Sequence, residues 1–117
     1  MDLESIVEEF ARNVSAQTDA IMRGDRSKGG DKEAKRYIAA YKKLRDHGEA
    51  GRDALAGLLT HSRMDVRVYA AGFLLSDRPE QALPVLREAA KGEGLIPFEA
   101  SQALKYWDEG TWSLDID

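Results

Sequence analysis

A chain of 117 residues, 43% hydrophobic and 32% charged with a formal charge of -4, has the size and balance of one folded domain and is too apolar for a disordered chain. It has no cysteine, which excludes disulfide frameworks, thiol nucleophiles and cysteine-held zinc or iron–sulfur centres. Its longest apolar run, Val68 to Leu75, falls far short of the about 20 residues needed to cross a bilayer, so no membrane partner is expected.

From Leu3 the apolar residues Leu3, Ile6, Val7, Phe10, Val14 and Ile21 recur at helical spacing and predict a first helix of about twenty residues. The stretch Gly24-Asp25-Arg26-Ser27-Lys28-Gly29-Gly30 reads as a loop. A second helix follows, with Ala34, Tyr37, Ile38, Tyr41 and Leu44 as its buried stripe, ended at His47-Gly48 by a glycine suited to the left-handed C′ position. Asp53 to His61, presenting Ala54, Leu55, Leu58 and Leu59, and Asp65 to Leu75, presenting Val66, Tyr69, Ala70, Phe73 and Leu74, read as an antiparallel helix pair. Asp77 is the expected N-cap of a fifth helix with Pro79 near its first position, and Pro84 implies either a kink or a later start. After Gly92-Glu93-Gly94 a last helix starts near Pro97 and runs through Ala100, Ala103, Leu104 and Trp107. No segment alternates with period two, so an all-α chain of about six helices in stacked antiparallel hairpins is expected.

Ala54, Leu55 and Leu58 match Ala82, Leu83 and Leu86 at an offset of 28 residues, and Val66, Ala70 and Leu74 match Ile96, Ala100 and Leu104 at an offset of 30. Periods of this length mark stacked helical hairpins. The stretch Asp65-Val66-Arg67-Val68-Tyr69-Ala70-Ala71 with Leu74 resembles the second helix of a HEAT repeat, although its Asp stands directly before Val-Arg. The order of features over about residues 18–112 is similar to a small bacterial family, domain of unknown function 2019. Those features are Gly24-Asp25, the Tyr-rich helix to Gly48, Ala54-Leu55 with Leu58-Leu59, Val66-Arg67 with Ala70-Ala71, Ala82-Leu83-Pro84-Val85-Leu86, and Leu104 with Trp107 and Gly110. The resemblance implies a HEAT-like α-α superhelix and no particular activity, and departs from the family at Gly29-Gly30 and in the acidic tail at 108–117; chain length makes residues 1–117 one expected domain. In such folds an Arg at the position of Arg67 bonds acidic or carbonyl groups of the adjoining unit. Arg67, Asp65 and Trp107 are accordingly expected to be structural.

Catalytic patterns are missing. His47 and His61 each sit beside a helix end with no nucleophile elbow and no His partner at ligand spacing, so neither a metal nor a cofactor is expected. The loop from Asp25 to Asp31 begins like a calcium loop, but its twelfth position is Arg36 where a bidentate Glu is required. Gly92-Glu93-Gly94 has no strand before it and reads as a turn.

Charge is segregated along the chain, -4 over residues 1–22, +4 over 23–53 and -4 over 54–117. On a wheel of about 100° per residue with Ala34 at zero, Lys32, Lys35, Arg36, Lys42 and Lys43 fall between about 80° and 200°, a basic face opposite the apolar one. In the tail, Trp112, Leu114 and Ile116 alternate. They either fold back over the last helix or offer a hydrophobic strand to a partner, Trp being a frequent interface anchor.

The expectation is a non-enzymatic protein–protein interaction module, with Lys32, Lys35, Arg36, Lys42, Lys43 and Trp112 as partner-binding residues. Its sharper version is an immunity-type protein that neutralises a toxin partner. The alternatives are a small-ligand-binding or enzymatic domain with a pocket between helices, and nucleic-acid binding through the basic helix. The acidic pI of about 5.2 opposes the last. Self-association is a further partner option. The acidic start, Met1-Asp2-Leu3-Glu4, lacks the basic region of a secretory signal, so a cytoplasmic location is expected.

Overall fold

The structure is a computed structural model that describes residues 2–24 and 29–114, the side chains of residues 29–31 excepted. Among the described residues the chain is all-α: α1 (Leu3–Met22), α2 (Gly29–Asp46), α3 (Glu49–Ala56), a short 3₁₀ segment (Gly57–Thr60), α4 (Met64–Leu74), α5 (Pro79–Ala90) and α6 (Leu95–Asp108). No helix among them is long and apolar enough to cross a membrane.

The chain divides into two compact units, Met1–Leu58 and Leu59–Asp117. In the first, α1 packs on α2, and α3 packs on both. Asp2 caps α1, its carboxylate accepting the Ser5 N–H at 2.8 Å, and those bonds hold the Asp2 carboxyl below the usual aspartate range. Ile6, Phe10 and Val14 form the buried stripe, and Phe10 meets Tyr37 of α2 edge-on with ring centroids 5.9 Å apart. Asn13 and Thr18 are also buried, because each returns its side-chain donor to a carbonyl one turn back, Glu9 O at 2.8 Å and Val14 O at 3.2 Å. Ile21, expected in the stripe, is instead exposed in the last turn of α1, where Ala20 is the buried residue.

α2 starts at Gly29, inside the stretch expected as a loop; residues 25–28, with the start of the calcium-like loop, lie outside the described residues. Its end is as expected, with Gly48 at φ +62°. α3 begins at Glu49, four residues before the expected Asp53. Gly51 makes this possible: a Cβ there would collide with the Leu44 carbonyl of α2, so the glycine is what lets the two backbones meet.

The second unit is built around α4, which buries Asp65, Val66, Val68, Ala70, Ala71, Phe73 and Leu74 and packs on both α5 and α6. The small residues Ala70, Ala71, Ala82 and Ala100 are fully covered and allow close helix approach. The helices thus group in threes, and α3, which the sequence pairs with α4, belongs with α1 and α2. Asp77 is not a cap: it lies in a turn, its N–H donating to Leu74 O at 3.1 Å, and Arg78 occupies the N-cap position without a side-chain bond to a backbone N–H of the first turn. α5 starts at Pro79, as one of the two expectations had it, and carries Pro84 inside it on an exposed side.

Candidate functional site

The C-terminal end of α6 determines where the tail goes. Gly110, at φ +75°, donates to Trp107 O at 3.1 Å and Thr111 N–H donates to Tyr106 O at 2.8 Å, the paired bonds of a Schellman turn. The chain reverses there, and the Trp112 indole comes to lie against α4, such that a Cβ on Gly72 would stand 4.0 Å from its ring. Trp112 and Leu114 therefore turn back, lining one pocket with α4, α5 and α6 rather than covering the last helix alone, whereas Ile116 lies outside the described residues. Gly72 faces the indole without crowding, since a Cβ there would meet the ring at ordinary contact distance.

The returning tail completes a pocket of about 300 Å³ within the second unit. Val68, Tyr69, Gly72 and Phe73 come from α4, Leu86 from α5, Glu99, Gln102, Ala103 and Tyr106 from α6, and Trp112 and Leu114 from the tail. The wall is overwhelmingly apolar, at the small end of the 300–1,000 Å³ typical of organic-ligand sites. Two polar groups stand out. Glu99 is half-buried and accepts a side-chain hydrogen bond from Tyr69; desolvation raises its carboxyl above the ordinary glutamate range, and the Tyr69 bond partly offsets this. The Trp112 Nε1–H is buried and has no hydrogen-bond partner among the described residues, an arrangement that costs about 1–3 kcal/mol when a donor is left unsatisfied.

Two further concavities accompany it. Leu59, Met64, Arg67, Pro84, Val85, Glu88 and Ala89 border one of about 380 Å³. In the first unit Ser5, Glu8, Glu9, Arg12 and Asn13 of α1 border the other, of about 400 Å³, with Arg36 of α2. Arg36 thus sits beside the acidic pair Glu8 and Glu9. Lys32, Lys35 and Lys43 are exposed on α2, and Lys42 is half-buried.

Asp65 and Arg67 both serve the start of α4. Asp65 is 4% exposed and takes a two-pronged bond from Arg63, Nε and Nη2 each at 3.0 Å, while its Oδ1 accepts the Val66 N–H at 2.9 Å. Arg67 donates to the carbonyls of His61 at 2.7 Å and Ser62 at 3.1 Å, so its acceptors come from the turn leading into its own helix. His61 Nδ1 accepts the Arg63 N–H at 3.0 Å. Trp107 is half-buried on α6. No group of three or more His, Asp or Glu side chains that could hold a metal occurs among the described residues.

Among the pocket residues, Glu99, Gln102 and Tyr106 went unnoticed in the sequence reading, and Tyr69 and Gly72 were read only as part of the packing of α4. The signal was present in part: Glu99, Gln102, Ala103 and Tyr106 share one helical face, as do Tyr69, Gly72 and Phe73.

No family model and no curated protein matches the chain. Among solved structures, it is similar to the crystal structure of the protein RPA1889 from Rhodopseudomonas palustris CGA009, with 24% identity over 97% of this chain and 93% of that one and a TM-score of 0.88. The two share an all-helical fold.

Proposed function

We propose that this protein is a non-enzymatic binding module and that the pocket closed by the tail is its ligand site. The observation that supports this reading is a small apolar concavity carrying one half-buried carboxyl, Glu99, against a wall of aromatic and aliphatic side chains. Such a site has shape and orientation to offer a ligand, while no paired nucleophile and base lines it. A thermal-shift screen of small organic molecules against the full chain tests the proposal. A molecule that fills the site raises Tm by several degrees, and the rise disappears in Ala103→Leu, whose larger side chain occupies the pocket. Rises of equal size in the variant, or none in either protein, refute it.

The basic side of α2 favours a second reading, in which Lys32, Lys35, Arg36 and Lys43 meet an acidic protein partner; the immunity-type role, in which the acidic chain as a whole takes a basic toxin, is a separate form of protein binding. Charge reversal at Lys35 and Lys43 together then weakens the complex with the acidic partner and flattens its salt dependence. The HEAT-like stacking, the similarity to the domain of unknown function 2019 family and a cytoplasmic location belong to this proposal as well.

A further inference from the structure

Among the described residues the pocket wall holds one carboxylic acid and no base. Glu99 is the single Asp, Glu, Lys, Arg or His among its lining residues. Around it stand four aromatic side chains from three separate segments: Tyr69 and Phe73 of α4, Tyr106 of α6 and Trp112 of the tail. Each class of ligand meets this wall differently. An anion would lose its hydration and find a carboxylate in place of a base. A bare metal ion would find one carboxyl where several oxygen ligands are needed, and no metal-holding group of acids exists among the described residues. A neutral apolar molecule would fill the volume but leave Glu99 without a counter-ion in a partly dry site. An organic cation is served by every feature at once, because carboxylate and ring quadrupoles both attract positive charge and the aliphatic residues Val68, Leu86 and Leu114 accept its body.

We infer that the pocket binds a monovalent organic cation, a primary or substituted ammonium on an aryl or alkyl body, with the ammonium on the Glu99 carboxylate and the body against Phe73, Leu86 and Trp112. The assignment rests on the reading of the pocket as a ligand site and adds the charge and class of the ligand. Tyr69, whose hydroxyl already bonds Glu99, positions the carboxyl, and the 300 Å³ volume limits the body to about one ring and a short chain.

Three probes of similar shape separate the possibilities: phenethylamine, phenethyl alcohol and phenylacetate. Each is titrated into the full chain, with calorimetry for affinity and the indole N–H resonance of Trp112, identified by its absence in Trp112→Phe, as the local readout. The amine should bind roughly tenfold or more tightly than the alcohol, with phenylacetate weakest, and Glu99→Gln should abolish the amine's advantage while leaving the alcohol's affinity within about threefold. Equal binding of amine and alcohol, or an advantage that survives Glu99→Gln, overturns the cation assignment and leaves the ligand site standing. If none of the three shifts the Trp112 resonance at millimolar concentration, both the assignment and the site are refuted. The comparison of probes on the unaltered protein stands even if Glu99→Gln does not fold.

Discussion

The Arg63–Asp65 pair should show strong coupling, in a direction set by its unequal exposure. Asp65 is 4% exposed, whereas the Arg63 side chain is 42% exposed. Asp65→Ala removes the acceptor of the Val66 N–H at a residue with no exposed surface. An unsatisfied donor there costs about 1–3 kcal/mol, but the released guanidinium returns to water at little further cost. The expected loss is about 2–3 kcal/mol. Arg63→Ala instead leaves a buried carboxylate with the Val66 N–H and the helix N-terminus as its remaining stabilisation, at about 3 kcal/mol, the low end for breaking a buried pair. With Asp65 already gone, losing Arg63 removes little more, so the double variant should resemble Asp65→Ala, well short of the sum. Urea unfolding followed by tryptophan fluorescence measures this directly, because Trp107 and Trp112 both belong to the unit that contains the pair. Additivity of the two single losses to within about 0.5 kcal/mol would show that the pair is not coupled and refute the reasoning.

Gly51→Ala should destabilise the first unit by about 3 kcal/mol, since the obstructing atom is a backbone carbonyl that no rotamer change can move; a loss under about 1 kcal/mol in thermal unfolding would contradict the close approach of α2 and α3. Gly110→Ala forces an L-residue into left-handed backbone at about 1–2 kcal/mol and should also move the Trp112 emission toward that of solvent-exposed indole; an unchanged spectrum would sever the link between the turn and the tail. Glu99 gives a pH dependence of known sign. Its folded carboxyl holds a proton more tightly than the unfolded one, so its contribution to stability is fully present below the ordinary glutamate range and is lost as pH rises through the raised value. Glu99→Gln lacks this loss, and its stability relative to the unaltered protein should grow across that window. A difference independent of pH would show that burial does not raise the Glu99 carboxyl.

Regular periodicity carried most of the helices. Leu3 through Val14, Tyr37 through Leu44 and Val66 through Leu74 state their faces in the spacing of large side chains, and Gly48 marks an end by a backbone conformation that few other residues adopt. Two kinds of feature escaped that reading. Glu49-Ala50-Gly51-Arg52 contains no large apolar residue, and a glycine in a helix reads as a break unless the neighbouring carbonyl that requires it is known. Glu99 lies beside Ala100 on a helix whose counted stripe is Ile96, Ala100 and Leu104, so it reads as solvated. Only the return of Trp112 and Leu114, a contact between segments distant in sequence, turns its surroundings into a pocket. Of the five cations placed on one face of α2, Lys32, Lys35, Arg36 and Lys43 are exposed and Lys42 is half-buried. The position of Arg36 beside Glu8 and Glu9 was not legible, because it depends on how α1 and α2 register.

The turn from His61 to Arg63 has a bearing on any attempt to divide the chain. Its carbonyls serve Arg67 and Arg63 serves Asp65, both residues of α4, while its imidazole holds the Arg63 amide within the turn itself. A fragment begun at Leu59 keeps the complete set. One begun at Met64, where the helix itself starts, strands Arg67 without its acceptors and Asp65 without its counter-ion. The five residues before α4 are therefore part of its folding unit, and the tolerated cut lies upstream of them.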